Sequence, residues 1–405
     1  MNSSTKKSSL LAIIDQVLLS LLGLVASIAV AKYSGKEQFG AYTLQFSIVL
    51  LIQGIQNSMW FSPLVALISR PIDDDAKAAY KISAFRGSVL TILVLSCAAA
   101  IVSFMVGNRI GGGVGQITIL IAVCVASMGA TLRDGLRAEN YAEGRSDLAL
   151  RFTMIAAIIQ VIAIFYLVMF ELMTANAMLI TSGVSLAIAW LIVATGSRAS
   201  KKVSVFSEFT KFSKWTLPSV GVSWGGGNIQ NYFVARDFGV STVAEVNAAR
   251  LFLMPVGVAV TAWSNYFRPR IMKNNASGKK LEAQPIVNRS LLACIFFIPV
   301  YGAVVGWLSS FSTYLLGEDY RNLGGLVFGW AICFSLMAAR VVFFTGLSSD
   351  ERGVKTQFYF GLVGFVVAIL SMLFFLSFGA LGVVISMCLI EVTQIGLYFA
   401  FGRSK

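Results

Sequence analysis

Residues 149 to 170, ALRFTMIAAIIQVIAIFYLVMF, hold 22 positions with a single charged side chain, Arg151, near the start. About 20 apolar residues in helical conformation cross the roughly 30 Å hydrocarbon of a bilayer. At that end Arg133, Arg137 and Arg145 precede Arg151, whereas the connection after the stretch carries no basic residue at all.

That contrast continues outward in both directions. Further apolar segments fall near 10 to 31, 41 to 68, 87 to 106, 116 to 136 and 176 to 195, and then at 215 to 235, 244 to 266, 288 to 309, 323 to 346, 355 to 377 and 379 to 402. With 149 to 170 they make twelve. Of the 32 Lys and Arg residues, 25 lie at the two ends or in the even-numbered connections. The odd-numbered connections hold only Lys32, Lys36, Arg109, Arg236 and Arg321, and the last two cations, Arg250 and Arg340, lie inside apolar segments. Positive charge resists translocation, so the pattern predicts an all-α, twelve-span protein of the cytoplasmic (inner) membrane with both termini cytoplasmic. Composition agrees: 57% hydrophobic and 13% charged, with a mean hydropathy of +0.78, against roughly 25% charged in soluble domains. The net charge of +13 then describes a surface facing anionic membrane lipids, and no nucleic-acid partner is expected. The first segment, with Lys6 and Lys7 before it, has the outline of a signal peptide, but Asp15 and Gln16 inside it and the charge pattern favour a retained span. Cys97, Cys124, Cys294, Cys333 and Cys388 all sit in apolar segments without CxxC spacing and read as packing residues.

The chain has no histidine, which removes Ser-His and Cys-His nucleophile pairs, zincin motifs and histidine proton relays. It also has no P-loop and no soluble insert. A transporter is expected, with no catalytic residues, no cofactor and no metal. Asp73-Asp74-Asp75 reads as a solvated face, and Gly111-Gly112-Gly113 as a turn.

An internal repeat is suggested near the midpoint. Ala31-Lys32-Tyr33-Ser34-Gly35 and Ala235-Arg236-Asp237-Phe238-Gly239 precede the second and eighth segments at an offset of 204, and Arg137 and Arg340 are offset by 203. Two lobes of six spans, 1–205 and 206–405, follow, related by an axis along the membrane normal.

Asp15-Gln16, Phe39-Gly40-Ala41-Tyr42, Gly144-Arg145, Lys214-Trp215-Thr216-Leu217-Pro218, Val243 to Ala249 and Leu316-Gly317-Glu318-Asp319-Tyr320 give the chain a loose likeness to a known family. It resembles the Wzx-type oligosaccharide flippases of the polysaccharide-biosynthesis family in the MOP superfamily. The resemblance implies a MATE-like, V-shaped pair of six-helix lobes that moves polyprenyl-diphosphate-linked oligosaccharide across the membrane by alternating access, for O-antigen or other surface polysaccharide. It also implies a polysaccharide polymerase and a chain-length regulator as partners. A MATE-like multidrug or small-solute exporter shares the plan, and a membrane-embedded polymerase is a third reading, disfavoured by the short connections.

A diphosphate and sugar head needs a polar, cationic cavity. Ionisable groups at mid-bilayer cost about 2.5 to 3.5 kcal/mol on insertion scales, so they generally face cavities or pair. The substrate-binding candidates are Arg340, Arg250, Arg137 and Arg133 for the diphosphate, with the amides Gln53, Gln56, Asn57, Asn228 and Asn231 for sugar. Gln53, Gln56 and Asn57 share a helical face, near Trp60. Asp15, Gln16 and Glu391 are candidates for ion coupling; the structural alternative pairs each acid with an intramembrane arginine. Gly225-Gly226-Gly227 either unwinds its helix or packs closely. Arg250 either binds substrate or snorkels to the outer surface, and Arg133 either binds substrate or pairs with Asp134.

Overall fold

The computed structural model describes residues 3–68, 73–106, 116–193, 206–276, 280–347 and 351–402. Gly111 to Gly113 and the basic residues Arg198, Lys201 and Lys202 lie outside them. No strand occurs among the described residues. The helices are α1 Ser3–Tyr33, α2 Gly35–Gln56, α3 Ser62–Ile68, α4 Asp74–Val106, α5 Gln116–Ala142, α6 Ser146–Met169, α7 Ala175–Val193 and α8 Phe206–Phe238. They continue as α9 Val240–Leu251, α10 Met254–Ala276, α11 Lys280–Trp307, α12 Ser309–Leu316, α13 Gly324–Leu347, α14 Glu351–Phe375 and α15 Ala380–Leu397.

The described part of each of the twelve expected segments is largely helical, but two differ in kind. Ten helices among the described residues are long and apolar enough to span a bilayer, and an eleventh candidate is α9 with α10, bent by 53° at a short break. Pro255 explains the break, because proline has no N–H to donate and its ring clashes with the carbonyl four residues back. The seventh segment is the other exception. Helix α8 runs 33 residues, yet Asn228, Gln230, Asn231 and the charges at its two ends leave it too polar for an ordinary apolar span. Gly225-Gly226-Gly227 does not unwind it. A β-carbon on Gly225 would lie 2.4 Å from the ring of Phe365, so close packing accounts for that glycine.

The chain divides into two units, Met1–Trp224 and Gly225–Lys405. In the first, α5 packs closely on α7, and α1 on α6. Gly129 and Gly183 make the α5–α7 approach possible: a β-carbon on Gly183 would lie 2.3 Å from the Val125 carbonyl oxygen. Small residues commonly let membrane helices approach in this way. In the second unit α11 packs on α13 and α14 on α15. The outward faces are apolar, with Phe165, Leu191, Phe297 and Phe374 between 66% and 76% exposed, as expected where lipid is the solvent.

Local chemistry sets the helix ends. Asp73 accepts a hydrogen bond from the Ala76 N–H at 3.0 Å, the N-cap arrangement, and Lys77 pairs with Asp74 at 3.1 Å, so part of the acidic run caps α4. Gly239, at φ +86°, turns α8 into α9 in one residue, a conformation that glycine adopts without steric cost.

Alanine placed at two glycines should separate packing from backbone freedom. Gly183→Ala should lower the thermal unfolding midpoint of the detergent-solubilised protein, since overpacking costs about 1 to 3 kcal/mol. Gly226→Ala, which meets open space, should leave the midpoint unchanged or raise it, in line with alanine's advantage of about 1 kcal/mol in a helix.

Candidate functional site

Asp15 is fully buried in the first unit. Arg137 donates to its Oδ2 from Nε at 2.9 Å, with Nη2 at 2.7 Å, and also donates to Gln16 Oε1 at 3.0 Å. The hydroxyls of Tyr141 and Thr153 donate to the same carboxylate. Arg137 and Tyr141 are i and i+4 on α5, so one helical face delivers both, and the guanidinium lies over the Tyr141 ring at 5.4 Å. Every donor around Asp15 points inward. A coupling cation would meet a guanidinium and two hydroxyls before it met a free oxygen lone pair.

The second unit contains a parallel arrangement. Arg340 on α13 donates from Nε to Glu391 Oε2 at 2.5 Å and from Nη2 to Oε1 at 3.4 Å, and its guanidinium lies over Phe344 at 5.6 Å. Glu391 on α15 is buried. Two-point contact of this kind gives an arginine–carboxylate pair both energy and orientation. Arg133, for its part, donates to Asp134 at 2.8 Å.

Arg250 differs from all three. Among the described residues no carboxylate pairs with it; its guanidinium lies 5.6 Å from the centre of the Trp330 ring. The indole is held in place by its own N–H, which donates to the Val246 carbonyl at 3.0 Å. Arg250 stands ten residues after the start of α9, about 15 Å along the axis at 1.5 Å per residue. The break between α9 and α10 follows within two residues.

The amides divide among different environments. Gln56 is buried and donates to the Ser88 carbonyl at 2.8 Å, Gln53 is half-buried, and Asn57 is exposed. A π-helical turn, Asn57–Phe61, follows Gln56 and turns Ser58 inward to Thr216 at 2.7 Å. Trp60 is a core side chain, 5% exposed, packed on Phe209. Asn231 accepts from Asn247 at 3.0 Å, tying α8 to α9, while Asn228 is half-buried.

One cluster was read from the sequence only as inner-surface charge. Lys81 on α4 bonds Glu139 at 2.6 Å and Glu143 at 2.5 Å, and Arg145 pairs with Glu143. Burial alone would raise the Glu143 carboxyl, but Lys81 and Arg145 outweigh it and hold it below the ordinary carboxylate range. Lys81, Glu139 and Arg145 border a cavity of about 450 Å3 that Arg86 and Thr131 also line. The Thr131 hydroxyl is buried without a hydrogen-bond partner. The i, i+4 spacing of Glu139 and Glu143 was a usable signal; the convergence of Lys81 from another helix was not.

No protein-family model matches the chain, and no curated protein sequence matches it. Solved structures do. The chain is similar to the lipid II flippase MurJ in an inward closed conformation, with a TM-score of 0.76 at 16% identity over 97% of this chain and 87% of that one. It is similar to an inward-facing multidrug resistance MATE family transporter of the MOP superfamily, with a TM-score of 0.68 at 14% identity over 95% and 94%. It is also similar to a MOP superfamily transporter from Pyrococcus furiosus described as having a binding pocket of reverse polarity, with a TM-score of 0.61 at 15% identity over 99% and 95%. The fold is that of the MOP superfamily transporters.

Removing one partner of a buried pair leaves an uncompensated charge and costs about 3 to 5 kcal/mol. Arg137→Gln alone should therefore depress the thermal midpoint more than the double variant Asp15→Asn/Arg137→Gln. A loss in the double variant equal to the sum of the losses in Asp15→Asn and Arg137→Gln would show that the pair is not coupled.

Proposed function

We propose that the protein is a flippase for polyprenyl-diphosphate-linked oligosaccharide, acting in surface polysaccharide synthesis. The observation that carries this reading is Arg250, a cation within the bent α9–α10 pair with no carboxylate partner among the described residues. Asp15 and Glu391 are each matched by an arginine, so that among these two acids and the three arginines Arg137, Arg250 and Arg340 the net charge is positive. A diphosphate answers that sign, whereas a cationic drug would be repelled by it. Arginine over an indole also suits the task. Cation–π contact holds the guanidinium with about 2 kcal/mol when desolvated and leaves its N–H fork available to phosphate oxygens.

In this reading Arg137 and Arg340 position helices, and their acids serve as counter-ions rather than coupling sites. The half-buried amides Gln53 and Asn228 are suited to sugar hydroxyls. The likeness to a lipid II flippase supports the reading at the level of fold. The exporter alternative draws its support from the MATE transporters of the same fold, and cargo sign separates the two.

Arg250→Gln should abolish surface polysaccharide at normal membrane levels of the protein, and Arg250→Lys should retain part of it. Arg340→Gln should lower protein level, with recovery on adding Glu391→Gln. Undiminished polysaccharide in Arg250→Gln would overturn the proposal, and drug sensitivity that moves with Arg250 would favour the exporter.

A further inference from the structure

Two grooves that the transport reading does not use share one construction. In the first unit a groove of about 840 Å3 between α2, α4 and the start of α8 is lined by Trp60, Arg86, Leu90 and Val94 among others. In the second, a groove of about 580 Å3 between α10, α11 and α13 is lined by Trp263, Arg289, Phe297 and Tyr301 among others. Trp263, Arg289 and Phe297 each stand 203 residues after Trp60, Arg86 and Val94 (289 minus 86, for example). The same offset relates Arg340 to Arg137.

Each indole is also held by a hydroxyl on the next helix, at positions that are not counterparts. The Trp60 N–H donates to Thr91 at 3.1 Å, and the Trp263 N–H donates to Ser290 at 2.8 Å. Ser290 is the counterpart of Gly87, where a β-carbon would lie 2.3 Å from the Trp60 ring. In each unit the tryptophan of one helix is thus pinned beside the residue that follows the arginine of the next. Both arginines are exposed, and neither has a carboxylate partner among the described residues. Around Arg86 the nearest charges are already matched, Lys81 and Arg145 by Glu139 and Glu143.

Length and sign select the occupant. From Arg86 to Val94 the wall runs about 12 Å, and from Arg289 to Tyr301 about 18 Å, at 1.5 Å per residue. Half of a hydrocarbon layer about 30 Å thick is about 15 Å. Each groove therefore has the depth of one leaflet, an apolar floor, and one unmatched guanidinium at its basic end, the end that positive charge holds on the cytoplasmic side. We infer that each unit holds one anionic phospholipid of the cytoplasmic leaflet, its phosphate on Arg86 or Arg289 and one acyl chain along the groove. Arginine meets phosphate in two-point geometry, and the negative potential of that leaflet enriches such lipids. This site is separate from cargo and stands whichever molecule is transported.

Native mass spectrometry of the full chain, taken from vesicles of equal phosphatidylglycerol and phosphatidylcholine, tests it. Wild type should retain two phosphatidylglycerol molecules. Arg86→Gln and Arg289→Gln should each retain one, their double variant none, and Lys77→Gln two. Leu90→Trp and Ala293→Trp, which fill the grooves without touching charge, should each lose one and serve where an arginine variant fails to fold. Equal retention of the two lipids, or undiminished phosphatidylglycerol in both the double arginine variant and the groove-filling variants, would overturn the inference. So would replacement of phosphatidylglycerol by added polyprenyl phosphate at equal concentration, which would make the occupant an isoprenoid.

Discussion

A charge in hydrocarbon has no water to solvate it, and much of this structure follows from how each such charge is met. Asp15 is enclosed by Arg137, Tyr141 and Thr153, and Glu391 by Arg340. The two arginines stand 203 residues apart in the chain, one in each unit, and their acids stand on the first span and the last. Each cation draws its counter-ion from a different helix of its own unit. Two independent solutions to one electrostatic demand indicate that the demand lies at the arginine position.

Arg250 is the exception that gives the second unit its chemistry. It is held by an aromatic face instead of an acid, beside the bend where α9 gives way to α10. Among the described residues no carboxylate takes up its hydrogen-bonding fork. The same economy appears in α8, where polar side chains are used one by one, Ser213 and Thr216 toward the first unit's π-helical turn and Asn231 toward Asn247. A helix with that many internal partners need not be apolar to sit among other helices, because its polar groups are satisfied by protein rather than exposed to lipid.

Much of the fold was legible in the chain. Apolar length and the alternation of basic residues pointed to twelve segments, of which ten are apolar spans among the described residues and an eleventh is the bent α9–α10 pair; both properties report directly on transfer between water and hydrocarbon. Arg250 and Arg340 were visible as departures from that alternation. Their difference was not, because pairing depends on which side chain a neighbouring helix presents, and Glu391 is 51 residues from Arg340. Gln53, Gln56 and Asn57 shared a face on a regular helix, yet a π-helical turn and packing against α4 gave them three environments. The matched pairs Trp60/Arg86 and Trp263/Arg289 were present in the repeat, but with both arginines counted among inner-surface cations nothing marked them out until each lined a groove.

Sequence alone therefore determined the order of the apolar segments and the sign of the charges they carry, because these are properties of single segments in contact with solvent or lipid. Tertiary structure decided which charges are spent on one another, which tryptophans are core, and which arginines remain open to a ligand. Those outcomes rest on hydrogen-bond distances of about 3 Å between residues far apart in the chain, and only the packing of helices brings such residues together.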